Sequence, residues 1–157
     1  MNKLTCIIVD DEAISRETLQ NYVVKYCEQV EVKALCENVE EGLAAIKEHQ
    51  PDIVFLDIEM PYGDGFDLLD QVETINFDVV FITAFSNYAI RALNLSATYY
   101  ILKPVDIDEL VSAVDKIREN RTENNETSIQ SKILLDNLKV ANGQMQRIVL
   151  PQLSGFI

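Results

Sequence analysis

Five polar residues stand where short apolar runs end: Asp10 and Asp11 after Leu4–Val9, Asp57 after Ile53–Leu56, Thr83 after Val79–Ile82, and Lys103 after Tyr99–Leu102. Three carboxylates brought to one place would repel strongly. A hard divalent cation with oxygen ligands relieves that repulsion, and Mg²⁺ binds through a few carboxylates plus waters. A Lys and a hydroxyl beside them do not complete a metal site, but they do complete a phosphoryl site. The ammonium supplies a point positive charge and the Thr a hydrogen bond to phosphate oxygens. A carboxylate in such a place can attack a phosphoryl group and become an aspartyl-phosphate. Asp57 is the best nucleophile because it stands alone, opposite the Asp10-Asp11 pair. The same cation lets water attack the acyl phosphate later, so slow self-dephosphorylation is expected.

These residues can meet only if the apolar runs are neighbouring strands. Ile53–Leu56 is four apolar residues long, which suits a strand buried on both faces of a parallel sheet. Leu4–Val9, Val79–Ile82 and Tyr99–Leu102 read the same way. Val30–Leu35 alternates and reads as a more exposed strand at the sheet edge. Between them lie helical patterns. Ala13–Cys27 carries Ile14, Leu19, Tyr22, Val23 and Tyr26, and Val39–His49 carries Val39, Leu43 and Ile46. Phe66–Thr74 carries Phe66, Leu69 and Val72, and Asn87–Leu95 follows as a fourth helix. Asp106 caps a last helix with Leu110, Val111, Val114 and Ile117 as its stripe. Five alternations of strand and helix predict an α/β fold, a parallel sheet with helices on both faces. The flavodoxin-like order 2-1-3-4-5 fits best, and ligands then bind at the C-terminal ends of the strands.

The charge is unevenly divided. Residues 1–121 hold 23 acidic and 10 basic side chains, a net of −13, whereas residues 122–157 hold 3 of each. So acidic a surface repels a phosphate backbone, which argues against nucleic-acid binding by this part and suits a divalent cation. No apolar run approaches the roughly 20 residues of a membrane span, and no signal-peptide pattern precedes the first strand. A cytoplasmic protein with no membrane partner is expected. Cys6, Cys27 and Cys36 form no metal spacing and no disulfide framework, and read as buried apolar residues. His49, the single histidine, lies at a helix end before Pro51 and reads as a helix C-terminal residue in preference to a catalytic base. Gly63 and Gly65 are too few to cradle phosphate and serve the turn after Asp57.

Beyond Arg121 the character changes. Residues 122–146 read as a linker with room for one amphipathic helix, at Ile129, Ile133, Leu134, Leu138 and Val140. Asn142-Gly143 breaks that pattern, and 147–157 opens a new strand-like run.

Asp10-Asp11-Glu12, Leu56-Asp57-Ile58-Glu59-Met60-Pro61 with Gly65, Thr83-Ala84 and Lys103-Pro104 stand in this order with the expected strand before each. In this, residues 1–121 resemble the CheY-like receiver domain of two-component response regulators. The resemblance implies phosphorylation of Asp57 by a histidine kinase or phosphotransfer protein, with Mg²⁺ as cofactor. It implies that Asp11, Asp57 and the backbone carbonyl of Glu59 bind the cation, with Asp10 acting largely through water. Thr83 and Lys103 hold the phosphoryl oxygens. Tyr100 matches the switch aromatic: Thr83 moves toward the phosphoryl group and Tyr100 turns inward. The surface of the fourth helix, fifth strand and fifth helix then changes and supports a homodimer. Packing of Tyr99 or Tyr100 in the core is the alternative to a switch.

A narrower resemblance, carried by Thr83-Ala-Phe-Ser-Asn-Tyr88-Ala-Ile-Arg-Ala92 and Tyr100-Ile-Leu-Lys-Pro-Val105, is to receivers attached to LytTR-type DNA-binding domains. Tyr99 stands where Asp is common in that group. Residues 147–157 resemble the first strand of a LytTR domain, so DNA would be read only by a part this chain lacks. Two other functions fit these residues less well. A Mg²⁺-dependent aspartyl phosphatase of the haloacid-dehalogenase type would carry Asp-x-Asp on the first strand, which Asp10-Asp11 is not. A stand-alone phosphorelay carrier would have no use for the segment after Arg121.

Overall fold

The computed structural model describes residues 3–94 and 99–122. Five strands, β1 (Leu4–Val9), β2 (Val30–Cys36), β3 (Ile53–Leu56), β4 (Asp78–Thr83) and β5 (Tyr99–Leu102), alternate with five helices. These are α1 (Ala13–Tyr26), α2 (Val39–His49), α3 (Gly65–Asp70), α4 (Ala89–Leu93) and α5 (Ile107–Thr122). The sheet order is β2-β1-β3-β4-β5 with every pairing parallel. This is the flavodoxin-like, CheY-like arrangement, with the alternating strand β2 at the edge.

Side-chain alternation divides the core into two layers. Ile7, Val9, Val54, Leu56, Val79, Phe81 and Tyr100 pack with α2, α3 and α4. Cys6, Ile8, Ile53, Phe55, Val80, Ile82, Tyr99 and Ile101 pack with Leu19 and Val23 of α1 and Leu110, Ala113, Val114 and Ile117 of α5. The three cysteines are buried and unpaired. Desolvation pushes the thiols of Cys27 and Cys36 up to about 11, as expected of inert core residues. Among the described residues no helix is long and apolar enough to cross a membrane.

Several element boundaries differ from the sequence expectation. In α1, Leu19 and Val23 are buried but Ile14 is 80% exposed. At about 100° per residue, Ile14 lies roughly 140° round the helix from Leu19 and cannot share its face. The third helix stops at Asp70 rather than Thr74. Gln71 and Val72 N–H bond to Leu68 and Leu69 carbonyls three residues back, which tightens the last turn and ends the helix. The fourth helix is shorter than Asn87–Leu95, with Tyr88 as its N-cap. Thr122, expected in the linker, still belongs to α5, its hydroxyl donating to the Arg118 carbonyl at 2.8 Å. Beyond it, the expected helix at 129–140 and strand at 147–157 lie outside the described residues.

Arg121 fastens the end of α5 beneath the sheet. Its guanidinium donates to Asp78 Oδ2 at 2.9 Å, to Asp52 Oδ1 at 3.3 Å and to the Asp52 carbonyl at 3.0 Å. Asp52 in turn accepts from Thr5 N–H at 2.9 Å, so β1, β3, β4 and α5 share one anchor.

The loop after β3 is held by close backbone approach. Gly63 has φ 137°, a region side chains disfavour. Gly65 N–H donates to the Ile58 carbonyl at 2.8 Å, and a Cβ there would lie 2.6 Å from the Asp57 carbonyl oxygen. A methyl group must therefore push apart the loop that carries Asp57. Gly65→Ala should lower the unfolding free energy by about 1–3 kcal/mol, measured by urea titration; unchanged stability would show that the loop has slack.

Candidate functional site

Strand register brings the polar residues to one edge. Val9 pairs with Leu56 and Thr83 with Leu102, so the residues that follow, Asp10, Asp57 and Lys103, leave the sheet at the same rim. The backbone continues the ladder there. Asp57 N–H donates to the Val9 carbonyl at 2.9 Å and Lys103 N–H to the Thr83 carbonyl at 2.8 Å.

Lys103 Nζ sits between the two buried carboxylates, 2.8 Å from Asp10 Oδ2 and 3.0 Å from Asp57 Oδ2. Glu12 Oε1 stands 3.6 Å away, and the Ser15 hydroxyl is within 3.3 Å. The remaining carboxylate oxygens are satisfied by backbone. Asp57 Oδ1 accepts from Ile58 N–H at 2.7 Å, and Asp10 Oδ1 from Glu12 N–H at 2.9 Å. Arg16 donates to the Asp10 carbonyl at 2.7 Å, bracing the turn into α1.

Burial pushes the Asp57 carboxyl above its ordinary range. The charge of Lys103 and its hydrogen bond oppose this, the Asp10 charge adds to it, and a Thr83 hydrogen bond opposes it weakly. For Lys103, burial alone would lower the ammonium, but the Asp10 hydrogen bond and the Asp57 charge outweigh it and raise the group. The lysine is therefore a fixed positive charge at neutral pH.

Asp10, Asp11 and Asp57 offer carboxylate oxygens within 4.8 Å of one another. Three carboxylates against one ammonium leave two negative charges uncompensated in a buried place. An all-oxygen donor set with that charge fits a hard divalent cation of the Mg²⁺ kind, which takes one or two carboxylates and keeps several waters.

Thr83 is fully buried, and its hydroxyl accepts the Phe85 N–H over a long 3.4 Å. Tyr100 lies one layer behind. It is buried against Phe81, ring centroids 6.0 Å apart, and its hydroxyl donates to the Phe85 carbonyl. Burial pushes the phenol up to about 12, so it remains a donor. The expectation that Tyr100 turns inward starts from an outward ring, whereas here the ring is already inside, held by that carbonyl. Strand alternation separates the two buried tyrosines: Tyr100 shares the α2–α4 layer with Phe81, whereas Tyr99 packs in the α1–α5 layer.

Sequence reasoning did not find Ser15 and Arg16, which support Lys103 and Asp10 from the first turn of α1. Their positions one helical turn after Asp11 and Glu12 were the available signal. It also missed the bond from Tyr88 Oη to Glu59 Oε2, 2.6 Å, which no local pattern announces. That bond first, then burial and the Glu59 charge, raise the Tyr88 phenol. His49 closes α2, 3.9 Å from Glu48 and away from this rim.

A family model described as the response regulator receiver domain matches residues 6–115. The chain belongs to the response regulator receiver family. It is similar to the sensory transduction protein LytT of Bacillus cereus, 30% identical over 159 residues, covering 98% of this chain and 64% of that one. It is also similar to the receiver domain of AraT, a response regulator from Geobacillus stearothermophilus. That structure is 31% identical with a TM-score of 0.71, over 78% of this chain and 98% of that one. A CheY of Borrelia burgdorferi, solved with CheX, BeF₃ and Mg²⁺, matches with 26% identity and a TM-score of 0.67, over 74% of this chain and 90% of that one. The chain spans about half the length of the curated relatives it matches.

The raised carboxyl of this receiver has a measurable consequence. Folding raises Asp57 above its value in the unfolded chain, so its contribution to stability is full below pH 3.8 and is lost as pH rises through the folded value. At neutral pH the ionised group costs stability. Without divalent cations, Asp57→Asn should have a higher urea midpoint than the parent at pH 7, with the gap closing on acidification. A parent that is the more stable at pH 7 would mean that Lys103 outweighs burial.

Proposed function

We propose that this receiver takes a phosphoryl group onto Asp57 and uses it to change the face formed by α4, β5 and α5. The observation that carries this is Lys103 Nζ placed between Asp57 and Asp10 beside a buried threonine. The donor is a phosphohistidine on a histidine kinase or phosphotransfer protein. An Asp57 carboxylate oxygen attacks phosphorus, the phosphorus–nitrogen bond breaks, and its electron pair leaves with the imidazole. Burial strips water from the carboxylate and keeps it basic, which favours attack. Lys103 and Thr83 hold the phosphoryl oxygens, where charge neutralisation and positioning supply most of the catalysis.

Asp11, Asp57 and the Glu59 carbonyl are the residues that would hold Mg²⁺, with Asp10 acting largely through water. The cation, when bound, neutralises charge on the transferring group. The Borrelia CheY solved with BeF₃ and Mg²⁺ supports this assignment by likeness. Phosphoryl transfer to Asp57 is stoichiometric, and slow hydrolysis resets the domain, so the receiver is a switch rather than a turnover enzyme.

The output runs through Thr83. To reach a phosphoryl oxygen its hydroxyl gives up the long bond from Phe85 N–H and turns further toward the Asp57 side that it already faces. The segment after β4 is also held by Tyr100 at the Phe85 carbonyl, so the two contacts act on one peptide. The face they control exposes Ile90, 77% accessible, and Phe85, which suits a homodimer formed on phosphorylation. By sequence, residues 123–146 join the receiver to 147–157, which resemble the opening of a LytTR-type domain. DNA is bound only by a part beyond this chain, in a cytoplasmic transcription regulator. The resemblance of 147–157 and the match across almost the whole chain to LytT favour this over a stand-alone carrier.

Acetyl phosphate with Mg²⁺ should add one phosphoryl group to the intact protein, and Asp57→Asn should abolish the addition. Labelling that persists at another residue in that variant overturns the assignment. Beryllofluoride with Mg²⁺ should shift the domain from monomer to dimer in sedimentation. Ile90→Asp should prevent the shift while labelling continues; a shift that survives this substitution places the dimer on another face.

A further inference from the structure

Tyr88 joins two parts of the receiver that lie 29 positions apart, its hydroxyl donating to Glu59 Oε2 at 2.6 Å. Glu59 follows Asp57 by two residues in the acceptor loop, and Tyr88 caps α4. A hydroxyl donating to a carboxylate at this length is a charge-assisted bond, about twice as strong as a neutral one. The phenol is not a free arm. Its ring packs at 6.0 Å from Phe66 of α3 and edge-on at 6.3 Å from Phe85. Phe66 is fully buried, with the Arg91 guanidinium 4.1 Å above it.

The acceptor loop has backbone anchors at Asp57 N–H and between Gly65 N–H and the Ile58 carbonyl. Glu59 lies just past them, exposed at the surface. Its carboxylate is the handle by which α4 grips this residue from the side. A backbone carbonyl that serves a cation must point in one direction, and freedom of its peptide reduces affinity.

We infer that Tyr88 is a positioning residue of the acceptor site, holding the Glu59 side chain so that the Glu59 carbonyl is presented to the divalent cation. This rests on the proposed Mg²⁺ site and adds to it a residue outside the five motif positions. Outer partners that orient metal ligands typically contribute 10–100-fold to metal affinity. Tyr88 orients the ligand through its side chain rather than at the ligating atom, and the bond is at the surface, so an effect of about fivefold is expected.

The test is a Mg²⁺ titration of the full 157-residue chain, followed by backbone amide NMR shifts without any phosphodonor. Four proteins are compared: the parent, Tyr88→Phe, Glu59→Ala and the double variant. Tyr88→Phe should raise the Mg²⁺ dissociation constant about fivefold in the parent and leave it unchanged in the Glu59→Ala background. Equal effects in both backgrounds would show that the Tyr88 hydroxyl acts by a route other than Glu59, and no effect in the parent would show that it does not act on the cation. Either result overturns the inference while the cation site stands. A parent with no saturable response to Mg²⁺ overturns both.

Discussion

One ammonium group between two buried carboxylates organises this receiver. Lys103 stands at the end of β5, Asp10 at the end of β1 and Asp57 at the end of β3, and the three meet within hydrogen-bond distance. Removing charged groups from water costs several kcal/mol each unless they are paired and their other atoms are satisfied. Here they are: Ile58 and Glu12 N–H take the second oxygens of Asp57 and Asp10. The pairing is nonetheless incomplete, because one positive charge faces the three carboxylates of Asp10, Asp11 and Asp57. Burial raises the Asp57 carboxyl and the Asp10 charge adds to it, and the clustered oxygens of Asp10, Asp11 and Asp57 suit a divalent cation.

The scaffold carries this strain at one end and is fastened at the other. Two dry layers grip the sheet, and Arg121 ties β1, β3, β4 and α5 together beneath it through Asp52 and Asp78. The rim above is built of loops whose backbones approach closely, as at Gly65 against Asp57. The base is fixed by packing and the rim by loop contacts, and loops at the strand C-termini are where binding groups concentrate.

Side chains near that rim form a continuous set of contacts. Thr83, Tyr100 and Tyr88 each touch the Phe85 segment, the first at its N–H, the second at its carbonyl and the third at its ring. Tyr88 returns to the acceptor loop at Glu59. The β4–α4 segment is therefore in contact with Thr83, Tyr100 and Tyr88, and through Tyr88 with Glu59. Coupling between sites is carried by connected hydrogen bonds and packed rings of this kind when they have a second arrangement to adopt.

The local code determined a great deal here. Four- to six-residue apolar runs, each ending in a polar residue, point to a buried parallel sheet. Strand order then places Asp10, Asp57, Thr83 and Lys103 at one rim. Burial of the cysteines and the edge position of β2 followed from the same patterning. What required the tertiary structure was everything set by contacts between distant segments. Ile14 left the apolar stripe because helical rotation, not hydrophobicity, decides which face is covered. Tyr100 rather than Tyr99 entered the layer behind Thr83 because strand parity fixed it there. The Tyr88–Glu59 bond, the Ser15 and Arg16 supports and the Arg121 clasp join residues whose pairing is written in no local periodicity. Periodicity reports which side of an element is buried; only packing reports what it is buried against.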